Sequence, residues 1–213
     1  MKLNTFGAQM VAMLGIEMST FTETSRALRE QSAQFEHDPS GRFGPDILKG
    51  RVGPGGGIDV DPFRAAFMLI ALIGGGLRKE AARNVWRIWH FRLPGYTRGG
   101  FVGEEPQAQP LPSCGLTGEG RFGEAVLKII EDEDLAARVT LLSVSPLGAE
   151  IVFDGGEVSR FTAGIPSMNR PRFYYEAKVD GVIIQGCARL FGGSATRPNR
   201  LVPAVTAAQG ELV

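Results

Sequence analysis

The sequence predicts an α+β protein, with a helical N-terminal half and a C-terminal half built on a mainly antiparallel sheet. Three observations carry this expectation. Apolar residues recur at helical spacing through residues 9–30 and again through 63–91, the period that buries one face of an α-helix. Residues 92–120 then lose all periodicity and hold Pro94, Pro106, Pro110 and Pro112 among glycines, the composition of a linker or a long extended connection. Residues 137–184 turn to β-branched runs and alternation, the period of a strand. The expected organisation is a helical unit over residues 1–91, a linker over 92–120, a small α+β domain over 121–192 and a poorly ordered tail over 193–213. A chain of 213 residues is long enough for two such units each to bury a core.

The first element is a short helix whose apolar stripe is Met10, Val11, Met13 and Leu14. Gly15 ends it, because glycine tolerates positive φ without a Cβ penalty, and Ile16 plugs the corner. A second helix follows over residues 19–30. Ser19 is its expected N-cap, with Phe21, Thr24 and Leu28 on the inner face. The outer face carries Thr20, Thr22, Glu23, Arg26 and Arg29. Short hydrogen-bonding side chains in the first turns, with arginines one and two turns later, suit a helix that reads base edges and grips phosphate.

Residues 35–46 contain Pro39, Gly41, Gly44 and Pro45 and read as a loop. Two short strands follow, over residues 47–52 and 58–60, joined by the glycine-rich tip at 53–57, with Lys49 and Arg51 at the base of the hairpin. That tip lacks the Gly-Lys-Ser/Thr ending of a phosphate-binding loop, and Pro54 spoils a dinucleotide fingerprint, so nucleotide binding is set aside. Asp59 and Asp61 before Pro62 announce a helix start, because proline suits the first helical position after an acidic cap. The helix itself, residues 63–73, is apolar nearly all round and is closed by Gly74. A further helix over residues 77–91 turns Ala81, Val85, Ile88 and Trp89 inward, and Trp86, Trp89 and Phe91 read as core or interdomain packing. This much apolar surface exceeds what a three-helix unit covers, and a homodimer is expected.

The second half opens with an amphipathic helix over residues 122–132 and continues with strands over 137–144 and 148–153. A hairpin is expected over residues 173–184. There Phe173, Tyr175, Ala177 and Val179 alternate with Tyr174, Glu176 and Lys178, and Asp180-Gly181 supplies a two-residue turn.

Composition narrows the chemistry. The chain holds 23 Lys+Arg against 23 Asp+Glu, so net charge does not point to a polyanionic partner. Arg78, Lys79, Arg83, Arg87, Arg92 and Arg98 form the one basic concentration, with Glu80 among them. The pair Cys114 and Cys187 makes no disulfide framework and has no zinc-ligand spacing. His37 and His90 lack a nucleophile pattern around them, and the acidic run Glu131-Asp132-Glu133-Asp134 reads as a solvated helix end. No enzymatic activity, metal or cofactor is expected. The longest apolar run is shorter than the roughly twenty residues of a membrane span, and the N-terminus makes a poor signal peptide. No membrane association is expected, and the expected compartment is the cytoplasm.

Two stretches carry a family resemblance. The segment Leu14-Gly15-Ile16-Glu17-Met18-Ser19-Thr20-Phe21-Thr22-Glu23-Thr24-Ser25-Arg26-Ala27-Leu28-Arg29-Glu30 resembles the small winged helix-turn-helix regulators carried by phages and prophages. The likeness extends over Gly50-Arg51-Val52-Gly53-Pro54-Gly55-Gly56-Gly57-Ile58-Asp59-Val60-Asp61-Pro62 and the apolar helix after it, and covers about the first half of the chain. It implies a winged helix-turn-helix, with residues 47–60 as the wing, and a repressor-like regulator that reads double-stranded DNA. Ser19, Thr20, Thr22, Glu23, Arg26 and Arg29 would then meet the groove, and Lys49 and Arg51 the backbone. The C-terminal domain would serve dimerisation or a protein partner. The competing expectation is a protein-interaction module, such as a phage-encoded inhibitor of a host defence complex that keeps its helix-turn-helix for autoregulation; neutral charge and Glu23 favour it.

Overall fold

Chain order begins with two helices, α1 over Leu3–Leu14 and α2 over Met18–Glu30, joined by Gly15 in the left-handed conformation at φ 64°. The computed structural model describes residues 1–31, 57–74, 80–94, 113–163 and 176–192. Among them, α3 covers Pro62–Ile73 and α4 Ala81–Trp89, and α5 (Phe122–Glu131) and α6 (Glu133–Ala137) lead into β1 (Val139–Ser145). Strands β2 (Gly148–Phe153), β3 (Val158–Thr162) and β4 (Ala177–Asp180) complete the sheet, and α7 (Gly181–Gly192) follows. The architecture is α+β, with an antiparallel sheet in the order β3-β2-β1-β4.

Local chemistry accounts for most of the element boundaries. Asp61 accepts a hydrogen bond from the Arg64 amide at 2.8 Å and Pro62 occupies the first helical position, so α3 starts where the acidic cap and proline require. Asp132 caps α6 by accepting from the amides of Asp134 and Leu135 at 3.1 and 3.0 Å. Ser145 pairs with Gly148 across the turn at Pro146-Leu147, its hydroxyl donating to the Gly148 carbonyl at 3.1 Å. In β1 the register slips between Val139 and Leu141, and the extra residue, Thr140, donates its hydroxyl to the Val152 carbonyl at 3.1 Å.

Two expectations are corrected. Residues 181–184 do not return as a strand: Asp180 ends β4, accepts from the Val182 amide at 2.9 Å and starts α7. A Cβ on Gly181 would strike the Val139 carbonyl, so the helix leaves the strand hard against β1. Ile184, Cys187, Ala188 and Phe191 recur at three, four and seven residues, which is helical spacing. Ile184, Cys187 and Ala188 are buried by it. Helix α2 begins at Met18 rather than after Ser19; its capping position is Glu17, and Ser19 sits in the first turn with its hydroxyl donating to the Glu17 carboxylate at 3.0 Å. The segment Ile58-Asp59-Val60 has the residues Met1 to Leu3 as a described partner, through Leu3 N–H to the Ile58 carbonyl at 2.9 Å and Val60 N–H to the Met1 carbonyl at 2.7 Å. Residues 47–52, the other expected strand of the wing, lie outside the described residues.

The core is continuous. Phe6 and Met10 of α1, Phe67 to Ile70 of α3, Trp89 and Phe91, Ile129 of α5, Ile151 of β2 and Cys187 of α7 belong to one buried cluster. Helix α3 packs on α4, α5, α7 and β4 of its own chain, which covers the apolar surface that motivated a dimer. The ends of the expected linker are built into this core. The Phe122 amide donates to the Phe91 carbonyl at 2.9 Å, Arg92 exchanges backbone hydrogen bonds with Thr162 at 3.0 and 2.7 Å, and buried Cys114 accepts from the Ser159 hydroxyl at 3.1 Å. Residues 95–112 and 193–213 lie outside the described residues.

Candidate nucleic-acid interface

Helix α2 is sharply divided. Phe21, Thr24, Ser25 and Leu28 are buried, and Phe21 meets Phe6 edge to face at a centroid distance of 6.3 Å. A Cβ at Gly7 would collide with the Phe21 ring, so a glycine on α1 is what lets the two helices approach there. The opposite stripe is Ser19, Thr22, Arg26 and Arg29, spaced by three, four and three residues and exposed throughout. Thr20 and Glu23 flank this stripe and are half-buried. Six of the expected contact residues therefore lie on or beside one face. Lys49 and Arg51 lie outside the described residues.

Electrostatics on this face are mixed. Arg26 pairs with Glu30 one turn on at 3.5 Å, and both side chains are about two-thirds exposed (69% and 66%). Such a pair contributes only about 0.3–0.5 kcal/mol, so Arg26 is easily redirected to a stronger partner. Arg29 sits in the last turn, where a cation complements the helix dipole. Glu17 places a carboxylate at the other end, favourable to the dipole and unfavourable to an approaching phosphate. The Ser25 hydroxyl is buried and has no hydrogen-bond partner among the described residues.

Helix α4 lies against α2, with the Gln31 side chain accepting from the Ala82 amide at 3.1 Å. Its inner face is Ala81, Ala82, Val85, Ile88 and Trp89, as the helical spacing predicts. Phe91 is buried with them, but Trp86 is 39% exposed, which corrects its assignment to the core. Arg83 and Arg87 flank it on the outer face. Arg78, Lys79 and Arg98 lie outside the described residues.

Other reactive side chains have structural partners. His90 Nδ1 is 2.7 Å from the Trp86 carbonyl. Cys114 accepts from the Thr117 amide at 3.4 Å as well as from Ser159. Cys187 Sγ lies 3.5 Å from Met10 Sδ, and burial pushes its thiol up to about 12. Within the acidic run Asp132 is a helix cap, and among the described residues no group of three His, Cys, Asp or Glu is placed to hold a metal ion. No described helix is long and apolar enough to cross a membrane. Comparison with family models, with curated proteins and with solved structures finds no match to this chain.

Proposed function

We propose that the chain is a DNA-binding regulator of the repressor kind, in which α2 is the reading helix and double-stranded DNA its partner. One observation carries the reading: Ser19, Thr22, Arg26 and Arg29 form a single exposed stripe on a helix whose other side is anchored in the core. Hydroxyls near the helix start suit base edges, and arginines further along reach a guanine edge or phosphate. The left-handed corner at Gly15 fits a helix-turn-helix entry. Under this reading the protein acts as a homodimer on paired half-sites, with residues 121–192 free to serve a protein partner, and it performs no catalysis. A second reading, a protein-interaction module, is favoured by the Arg26–Glu30 pair and by Glu17 and Glu23 on or beside the same face.

Selection of bound sequences from a random duplex pool tests the proposal, and a palindromic consensus is the expected result. Arg26→Ala should then cost about 1–3 kcal/mol on the best site and relax one base pair if it reads guanine; a phosphate role would weaken all sequences alike and lower the salt slope by about one. Thr22→Ala should alter preference with a smaller loss. Glu30→Ala releases Arg26 and should tighten binding. Phe21→Ala is the control, lowering the melting temperature and with it all binding. If Arg26→Ala and Thr22→Ala leave affinity and preference untouched in a folded protein, the interaction reading takes its place.

A further inference from the structure

The outer face of α4 holds a second arrangement that the α2 reading does not use. Arg83, Trp86, Arg87 and His90 are spaced by three, one and three residues, so they share one side of the helix, opposite Val85, Ile88 and Trp89. Trp86 is exposed and its ring lies 4.4 Å from that of His90, tilted by 37°, making a two-ring platform at the surface. An exposed tryptophan is unusual, because burying its large ring is worth several kcal/mol (roughly 3–5 by truncation).

The arginines beside it complete the arrangement. Four other arginines are matched with carboxylates, Arg26 with Glu30 at 3.5 Å, Arg64 with Asp61 at 2.6 Å, Arg138 with Asp154 at 3.0 Å and Arg160 with Glu150 at 2.8 Å, while Arg121 and Arg189 stand singly at the start of α5 and on α7. Arg83 and Arg87 have no such carboxylate among the described residues. Two cations one turn apart, with an aromatic face between them, call for a ligand that is anionic and planar together.

We infer that this face of α4 binds single-stranded nucleic acid, with a base stacked on Trp86 and adjoining phosphates held by Arg83 and Arg87. Each part answers a physical need: stacking is tolerant of sequence because every base has a π-face, and the flanking cations track the backbone. A duplex is a poorer occupant because its bases are already stacked. A protein interface or a bilayer surface would want further apolar side chains around the ring. The other exposed large hydrophobics among the described residues, Met18, Val158 and Val182, stand on α2, β3 and α7. The inference is independent of the reading of α2, which concerns a different helix and a duplex.

Tryptophan emission provides the test, because Trp86 is exposed and Trp89 is fully buried. The full chain is titrated at low salt with an oligothymidylate of about a dozen nucleotides, within the usual span of a single-strand site. Quenching is expected, and it should vanish in Trp86→Phe while the Trp89 emission stays. By fluorescence anisotropy of a labelled oligonucleotide, Trp86→Ala should weaken binding roughly 5- to 150-fold, with Trp86→Phe in between. Arg83→Gln and Arg87→Gln should each lower the salt slope by about 0.7. Unchanged melting temperatures confirm that these exposed variants fold. The inference is overturned if oligothymidylate does not bind, if Trp86→Ala binds it as well as the parent, or if polyglutamate quenches Trp86 equally and displaces the oligonucleotide. Arg26→Ala should leave oligothymidylate affinity intact, so failure here is distinguishable from failure of the duplex reading.

Discussion

Gly123 shows how one residue sets the packing of two helices. It lies on α5, and a Cβ there would run into the indole of Trp89, which is fully buried and reaches Glu124 through its ring N–H at 3.4 Å. Helix propensity alone makes Gly→Ala favourable by about 1 kcal/mol. The indole cannot swing away, so overpacking should reverse the sign, and Gly123→Ala should destabilise by about 1–3 kcal/mol in urea unfolding. A stabilised variant would show that the two helices separate easily. Cys187 makes a second prediction at this scale. Its thiol, fully buried beside Met10, is pushed up to about 12, while in the unfolded chain it titrates near about 8.5. Above that lower value the unfolded state loses the proton and the native state keeps it, so the native state binds more protons and stability falls as pH rises. The contribution should appear between about pH 8.5 and 12 as an extra slope of up to about 1.4 kcal/mol per pH unit, absent from Cys187→Ala measured in parallel. A thiol reagent that modifies Cys187 at native rates well above unfolding would contradict its burial.

At the scale of elements, caps decide where helices begin, and the residue type alone does not always identify them. Asp61 and Pro62 marked the start of α3 from composition alone, and the carboxylate does accept from the Arg64 amide. Asp61→Ala should therefore lower stability by about 0.5–2 kcal/mol, seen as a fall in melting temperature, with Asp61→Asn recovering most of it. Loss of the ion pair with Arg64 adds little at a half-exposed site. Ser19 carries the same kind of signal for α2 but is not the cap, because the Glu17 carboxylate two residues earlier offers its hydroxyl a stronger acceptor. The pair Asp180-Gly181 is the sharper lesson. The dipeptide is the strongest local signal for a two-residue turn, yet Asp180 accepts from Val182 to begin α7 and the glycine is needed for close approach to β1. The period-2 alternation ends at Val179 and the helical period begins at Ile184, and local pattern does not say where between them one yields to the other.

For the molecule as a whole, the question is whether the helices and the sheet stand separately. One buried cluster runs from Phe6 through α3, α5 and the sheet to Ala188. Phe122 meets Phe161 at 5.6 Å between ring centroids, and α1 reaches α7 through Met10 and Cys187. Unfolding should therefore be a single cooperative transition, with Trp89 emission and far-ultraviolet dichroism superimposing in urea. A fragment of residues 1–91 should not fold alone, because α3 would lose α5, α7 and β4 together. Two resolved transitions, or a folded fragment, would restore a division near residue 92.

Periodicity by itself determined the α+β class, the positions of α3, α4, α5, β1 and β2, the end of α1 but not its start at Leu3, and the split faces of α2, since a helix or strand with one apolar side must bury that side wherever it is placed. The exposed stripe with Thr22, Arg26 and Arg29 followed from that period. Tertiary structure alone decided what covers each apolar face. Helix α3, apolar all round, is satisfied within one chain by its neighbour α4 and by α5, α7 and β4 from far along the sequence, so its composition is not evidence of a second copy. Likewise the aromatic content near α4 suggested burial of Trp86, but its place on the helix turns it away from Val85 and Trp89, and no distant element of the described structure covers it. Burial is a property of what arrives from elsewhere in the chain, and spacing along a helix specifies only the face that is waiting.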